Sequence, residues 1–411
     1  MEFLELIDNK EWMRRNLRQI SLLEQIWALP GISRNEISSR QKISKVAVTQ
    51  SVDKLKEMDF ITEEKRASNS PGRKPVSLKL KSDLFYTVGI SFYKEYSSEV
   101  ALLNANSEVV DKMLFSTTSG PSAPWREECA SALEAVKGIL EKNNIPKEKL
   151  AGIGASLTGF MNPETGEVYD SAQFKDSEAF NLADYFRKEL NVSCYIINVP
   201  HLLVMMEHKW GKAKNLDSFL YICFGFGLGM FLNGKLYKGH QGFGGEIGYM
   251  KIASEGPMGS DGRTGLLGAN ARFYDIANAL RNNAKQGLPT EVGKYLGDDD
   301  KVSFSMMLNA LRDGDKTCRE LMSKVFEPIG EAVVNLAYIF NPEAIFLPPW
   351  TSEDANFDYS MGIIQKGMKH YGGFTGKCKF ETKIMGAEYG YEHLAQGAGL
   401  LSAENIFEVK K

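Results

Sequence analysis

Between Leu220 and Tyr249 the chain reads LYICFGFGLGMFLNGKLYKGHQGFGGEIGY, a run so rich in glycine that few folds can hold it. Leu220 to Phe224 has the composition of a short buried strand, and Gly225, Gly227 and Gly229 follow as a tight turn. Met230 to Leu232 reads as a second strand, Asn233-Gly234 as a two-residue hairpin turn and Lys235 to Tyr237 as the returning strand. Glycine has no Cβ, so backbone N–H groups in such a turn can approach an anion and cradle phosphate. A plain glycine-rich hairpin in a sheet fits the same residues. The continuation adds chemistry: Gly239, Gly242, Gly245 and Gly248 surround Glu246, where little but backbone crowds the carboxylate. That setting suits a carboxylate that grips the hydroxyls of a ligand.

The N-terminal 81 residues have another character. Leu17, Ile20, Leu23, Ile26 and Trp27 recur at helical spacing from Asn16 to Ala28, and Pro30-Gly31 stops that helix. Ser33 with Glu36 three residues on predicts a capping box over a second helix, Arg34 to Gln41. Ser44 caps a third, running through Lys56 with Val48, Val52 and Leu55 on its core face. Two alternating strands between Ile61 and Lys81 flank the basic loop ASNSPGRKP. Three short helices and a basic hairpin predict a winged helix-turn-helix. A generic three-helix bundle would show the same apolar spacing. What separates the two is the outer face of the third helix, where Lys45, Thr49, Gln50 and Lys54 suit base edges and phosphates. Arg73 and Lys74 in the wing add two further DNA-binding candidates.

The charge agrees. Residues 1–81 hold 16 Lys+Arg against 11 Asp+Glu, a balance of +5, whereas the remaining residues hold 33 against 41, a balance of −8. A basic module on an acidic body is expected where only the module meets a polyanion. The 411 residues have room for two or three domains. No window approaches the roughly 18 consecutive apolar residues of a membrane span, and MEFLELIDNKEW is too acidic for a signal peptide. Cys129, Cys194, Cys223, Cys318 and Cys378 are scattered without CxxC pairs, which indicates neither a disulfide framework nor a thiolate metal site. A reducing cytoplasm is the expected compartment.

Beyond residue 85 the pattern is α/β. Strands are expected at Tyr86–Phe92, Val100–Leu103, Val109–Phe115, Ala151–Ser156, Cys194–Ile197 and Ala344–Leu347. Helices are expected near Trp125–Lys142, Phe180–Leu190, Val199–Trp210, Asn270–Gln286, Val302–Asp313, Lys316–Phe340 and Glu392–Phe407, with Thr158 to Val168 a loop. Periodicity alone licenses two α/β lobes.

The glycine frame and the wing together resemble the ROK family (repressors, open reading frames and sugar kinases), over nearly the whole chain. The resemblance implies an N-terminal winged helix-turn-helix on a two-lobed actin-like, ribonuclease H-like sugar-kinase fold. It implies domains at 1–81 (DNA-binding), 82–200 (first lobe), 201–385 (second lobe, ligand sensing and oligomerisation) and 386–411 (C-terminal helix returning to the first lobe).

Against the family's kinases several motifs have changed. Their Asp-x-Gly-Gly-Thr phosphate loop corresponds to Ser91-Phe92-Tyr93-Lys94-Glu95, and their second glycine pair to Pro348-Pro349. Side chains at Tyr93 and Lys94 obstruct phosphate, and proline offers no N–H. Their Asn-Asp-Ala-Asn, with the aspartate as catalytic base, corresponds to Asn198-Val199-Pro200-His201, and valine accepts no proton. A lone histidine such as His201 is ordinarily structural. The family's zinc ligands map to Tyr249, Gly259, Asp261 and Leu266, with Gly268 at its glutamate, which leaves no tetrahedral donor set. The expectation is therefore a transcriptional regulator of carbohydrate metabolism, a repressor, whose kinase-like body is catalytically silent, with no catalytic residues, cofactor or metal. Asn198, Glu246 and Tyr249 remain as sugar-binding candidates. Expected partners are double-stranded operator DNA, a sugar or sugar-phosphate effector and further copies in a homodimer or homotetramer, in the cytoplasm at the nucleoid. Two alternatives stand beside it: a carbohydrate kinase with a regulatory head, and a regulator whose body only oligomerises and docks a protein.

Overall fold

The computed structural model describes residues 3–65, 76–93, 98–116, 123–171, 173–174, 178–259, 261–296, 302, 304–349, 362, 364 and 381–407. The chain forms two compact units, Met1–Val199 with Tyr391–Lys411, and Pro200–Gly390.

The first unit opens with two short helices that apolar spacing did not suggest, α1 (Phe3–Asp8) and α2 (Lys10–Arg15). Each is six residues long, too short for a periodic pattern, and Asn9 and Asn16 separate them from one another and from α3 (Leu17–Ala28). Next come α4 (Arg34–Gln41), α5 (Lys45–Glu57) and a two-stranded antiparallel sheet of β1 (Ile61–Lys65) and β2 (Val76–Leu80). The main sheet then begins with an antiparallel meander, β3 (Tyr86–Ser91), β4 (Glu99–Asn104) and β5 (Val109–Leu114). α6 (Trp125–Lys142) leads to β6 (Leu150–Leu157), parallel to β3. The expected loop after it contains β7 (Phe160–Asn162) and β8 (Glu167–Asp170), which with β9 (Phe180–Asn181) make a small antiparallel sheet. α7 (Leu182–Leu190) and β10 (Ser193–Asn198), parallel to β6, complete the order β10-β6-β3-β4-β5.

The second unit starts on α8 (Val199–Lys209) after its first residue. It repeats the plan with β11 (Phe219–Ile222), β12 (Leu228–Leu232) and β13 (Lys235–Leu236), then α9 (Leu267–Asn270), α10 (Phe273–Lys285), α11 (Phe304–Arg312) and α12 (Lys316–Phe340). β14 (Ala344–Leu347) and β15 (Lys383–Gly386) follow, each parallel to its inner neighbour. The order β13-β12-β11-β14-β15 is that of the first sheet, strand for strand. This duplication is the actin-like architecture. β15 escaped the sequence pattern because only Ile384 and Met385 mark it between charged and small residues.

The last helix, α13 (Leu394–Phe407), belongs to the first unit and lies on β3, β4 and β6. Small residues allow this: a Cβ on Gly89 would stand 1.7 Å from the Ala395 carbonyl oxygen, and one on Gly154 1.7 Å from that of Ala398. The opposite face of that sheet buries Val88, Ile90, Ile153 and Ala155 with α6 and α7. Residue 81 does not end a compact unit, because the helix-turn-helix packs onto the first lobe. Phe3 contacts Phe60 (5.1 Å) and Phe85 (5.7 Å), Trp27 contacts Phe407 (5.6 Å), and Trp27 Nε1 donates to Ser107 Oγ at 3.1 Å. Fully burying a phenylalanine side chain contributes about 1.5–3 kcal/mol, and each aromatic pair about 0.5–1.5 kcal/mol beyond that.

Candidate functional site

The helix-turn-helix is built by its caps. Ser33 Oγ accepts from Glu36 N (3.3 Å) while Ser33 N donates to Glu36 Oε2 (2.7 Å), the reciprocal box expected from sequence. Lys42 takes a left-handed conformation (φ 55°), and Ser38 Oγ donates to Ile43 O across the turn at 2.7 Å. Ser44 Oγ accepts from Ala47 N at 3.2 Å and starts α5. Val48, Ser51, Val52 and Leu55 form its buried stripe, which leaves Lys45, Thr49, Gln50 and Lys54 exposed.

These four candidates are not equivalent. Lys54 Nζ donates to Asn16 Oδ1 at 2.8 Å and ties α5 to the end of α2. Thr49 Oγ1 donates to Lys45 O (2.9 Å), an i−4 bond within the helix. Arg34, which sequence reading left out, bridges α4, α5 and the wing: it donates to Asp53 (2.8 Å) and, through Nε and Nη2, to Glu63 (3.0 and 2.7 Å). Lys56 reaches the same Glu63 at 2.6 Å. Arg34 thus offsets Asp53, the acid that interrupts the basic face. Arg73 and Lys74 lie outside the described residues.

In the second unit the glycine run divides into two functions. The turn after β11 is Cys223 to Gly227, closed by Phe226 N donating to Cys223 O (2.9 Å), and a phenylalanine rather than a glycine holds the positive φ there (63°). Gly229 lies inside β12. A Cβ on Gly227 would meet Pro200 Cγ at 2.4 Å, and one on Gly229 would meet Pro200 O and Val204 Cγ2 at 2.3 Å. Gly227 and Gly229 allow α8 to pack closely on the hairpin, whereas a Cβ on Gly225 would meet nothing within 4 Å.

The second frame is a real loop. Gly239, Gly242 and Gly245 have φ of 79°, 86° and 101°, and a Cβ on Gly245 would strike Leu228 O at 2.0 Å. Glu246 stands in this frame half-buried, and burial pushes its carboxyl above the usual carboxylate range. Tyr249 is 39% exposed, and its carbonyl accepts from Arg263 (3.4 Å). His201 supports the same loop from α8. It is 3% exposed and hydrogen-bonds the Gly244 backbone, and its Nε2 is buried without a partner. Burial, with the nearby Lys238 charge, lowers its pKa to about 4, so the ring is neutral. Asn198 belongs to the first unit, at the end of β10, where its side-chain amide donates to Gly159 O at 3.3 Å. Val199, at the kinase base position, is 1% exposed.

Glu207 is a feature that periodicity could not flag, since an acid on a helix ordinarily faces water. It is fully buried and accepts from the backbone N–H groups of Lys212 (2.8 Å), Glu388 (3.0 Å) and Tyr389 (3.1 Å). Burial raises its pKa against the pull of those three donors. A Cβ on Gly211 would lie 2.5 Å from the carboxylate, so Gly211 is the space it occupies.

Two ligand loops of kinase relatives can be placed. Ser91 is buried at the end of β3, and Tyr93, also buried, stacks on Tyr391 at 4.8 Å with planes 9° apart. Lys94 and Glu95 lie outside the described residues. In the loop at the zinc position, Arg263 Nε donates to Asp261 Oδ2 (2.6 Å), and bridges join Lys251 to Leu266 and Met258 to Thr264. Among the described residues no group of three or more His, Cys, Asp or Glu is placed to hold a metal ion. The donors present do not fit zinc.

A model of the ROK family matches residues 96–361. The chain belongs to the ROK family. This ROK protein is 26% identical over 343 residues to the xylose repressor of Caldicellulosiruptor bescii, a match covering 81% of this chain and 83% of that protein. Among solved structures, a ROK family transcriptional regulator described as a homologue of the E. coli MLC protein superposes with a TM-score of 0.72 at 17% identity, over 95% of this chain and 97% of that one. A ROK family glucokinase from Streptomyces griseus, solved with glucose and AMPPNP, gives a TM-score of 0.62 at 17% identity, over 77% of this chain and 98% of that one. These two likenesses speak for the fold. Among the described residues no helix is long and apolar enough to cross a membrane.

Proposed function

We infer that this ROK protein is a DNA-binding transcriptional regulator of carbohydrate metabolism, a repressor, whose kinase-like body senses a sugar or sugar phosphate without phosphorylating it. The observation that carries the reading is the pairing, in one compact unit, of a capped helix-turn-helix with a phosphate-loop position filled by Tyr93 stacked on Tyr391. A nucleotide phosphate needs backbone N–H groups at close range, and a buried Tyr93 ring stacked on a half-buried Tyr391 at that loop favours a body that does not bind one. Val199 supports the same reading, since it offers no acceptor for a hydroxyl proton. Similarity to a xylose repressor over four-fifths of the chain favours regulation.

In this reading α5 enters the major groove with Lys45, Thr49 and Gln50, and Arg73 and Lys74 of the wing meet the backbone and minor groove. A homodimer or homotetramer reads an inverted repeat with half-sites one or two turns apart, roughly 10 or 20 base pairs. Glu246, Asn198 and Tyr249 are the ligand contacts, and the cytoplasm is the compartment. Two measurements on the full chain test this. Selection from random duplexes should yield an inverted repeat bound with a steep salt dependence. ATP, Mg²⁺ and a hexose and amino-sugar panel should give no turnover above a protein-free control. Turnover at about 1 s⁻¹ or faster would establish the kinase reading instead.

A further inference from the structure

α5 turns by about 100° per residue, so the position of each side chain around its axis follows from its number. The buried stripe of Val48, Ser51, Val52 and Leu55 defines one side of the helix. Val46 falls almost diametrically opposite the middle of that stripe, and 67% of it is exposed. A single exposed valine is unremarkable on a protein surface; this one stands on the crest of the face that the DNA reading assigns to the major groove. Its neighbours there are engaged within the head: Asp53 by Arg34 (2.8 Å), Lys54 by Asn16 (2.8 Å) and Thr49 Oγ1 by Lys45 O (2.9 Å). Val46 is the second residue of the helix, two after the Ser44 cap and one turn before Gln50. Recognition helices reach base edges with their N-terminal residues.

We propose that Val46 is a specificity residue of the DNA-reading helix, its two methyl groups packing against the 5-methyl group of a thymine in the major groove. Thymine is the base that presents an apolar group there, and a valine side chain has nothing to offer the donors and acceptors of the other bases. Gln50, suited to the N6 and N7 edge of adenine, is one turn away, with Cβ atoms about 5–6 Å apart. At about 3.4 Å per base step, the thymine lies within one or two base pairs of that adenine. Arg34 and the Ser44 cap hold the crest in phase by fixing α5 against α4 and the wing. The proposal rests on α5 being the reading helix, as inferred under Proposed function.

The test uses the full chain and the duplex it selects from a random pool. Each thymine of the half-site is replaced in turn by deoxyuridine, which removes the methyl group and leaves the pairing edge intact. At one position per half-site the wild-type chain should bind the uracil duplex about 3–5-fold more weakly. Val46→Ala should bind the thymine and uracil duplexes alike at that position. Alanine at an exposed helical site favours the helix, so the variant should melt with the wild type. An unchanged thymine-to-uracil ratio in Val46→Ala at every position, or no uracil effect in the wild type, would overturn the assignment. Lys45→Ala and Gln50→Ala keep the two levels apart. If they weaken or relax binding while Val46→Ala does not, only the valine is wrong. If they too leave affinity and selected sequence unchanged, α5 is not the reading helix.

Discussion

The loop after β3 and the loop after β13 are lined in opposite ways, one by side chains and the other by backbone. After β3, side chains have moved in: Ser91 is buried and Tyr93 stacks on Tyr391. After β13 the glycine frame is open, with Gly239, Gly242 and Gly245 at positive φ around a half-buried Glu246. A loop whose backbone need not approach an anion tolerates side chains, and the apolar burial they bring stabilises the fold. A loop whose backbone path itself demands glycine tolerates none. The difference teaches that glycine persistence has two causes, close packing and positive φ, which only coordinates separate. Gly89, on β3, is held by close packing of α13.

The largest expected effects test that distinction. Gly245→Ala combines φ of 101° with a Cβ 2.0 Å from Leu228 O, and Gly89→Ala would press 1.7 Å from Ala395 O. Each should cost about 3 kcal/mol or more in urea unfolding of the full chain. Gly234→Ala shares a positive φ (74°) but has nothing within 4 Å, so about 1 kcal/mol is expected from backbone strain alone. Equal losses at Gly234 and Gly245 would break the comparison.

His201 gives an effect of similar size that depends on pH. Its folded pKa, about 4, lies below the ordinary 6.5, so between those values the unfolded chain takes up a proton that the folded ring refuses. Stability from this residue is complete above pH 6.5 and is lost as pH falls through 4, by about 3 kcal/mol in all. Glu246, with its raised pKa, contributes in the opposite sense over the acidic part of this range. The informative quantity is therefore the difference between wild type and His201→Gln in urea unfolding from pH 7 to pH 4. A difference that does not change with pH would mean that His201 does not prop the Gly244 backbone as a neutral ring.

Smallest and most specific is Glu246→Gln. A shielded carboxylate accepting sugar hydroxyls makes charge-assisted hydrogen bonds of about 1.5–3 kcal/mol each. Glutamine keeps the shape and weakens them, so the ligand concentration that alters DNA binding should rise roughly 10-fold. Operator affinity without ligand should be unchanged. If the dose response does not move, the open loop is scaffold, and the two loops differ only in packing.

Much of the architecture was legible in the chain itself. Apolar periodicity and capping residues located α4, α5, α6 and α12 closely, because each is long or sharply capped and its pattern is local. The glycine spacing marked the Glu246 loop for the same reason. α1, α2 and β15 were not legible, since six helical residues or two apolar strand residues carry no period. Tertiary structure alone decided what several residues do. Lys54, a candidate phosphate contact, also meets Asn16 at the end of α2, which its own helix could not announce. That Gly227 and Gly229 lie against Pro200 of α8 is not written in their spacing. Glu207 is buried because the backbone N–H groups of nearby Lys212 and of distant Glu388 and Tyr389 converge on it. Sequence records which groups a residue carries and how they repeat along one element. Which partner removes a group from water is settled by elements far apart in the chain, and burial and hydrogen bonding are properties of that meeting.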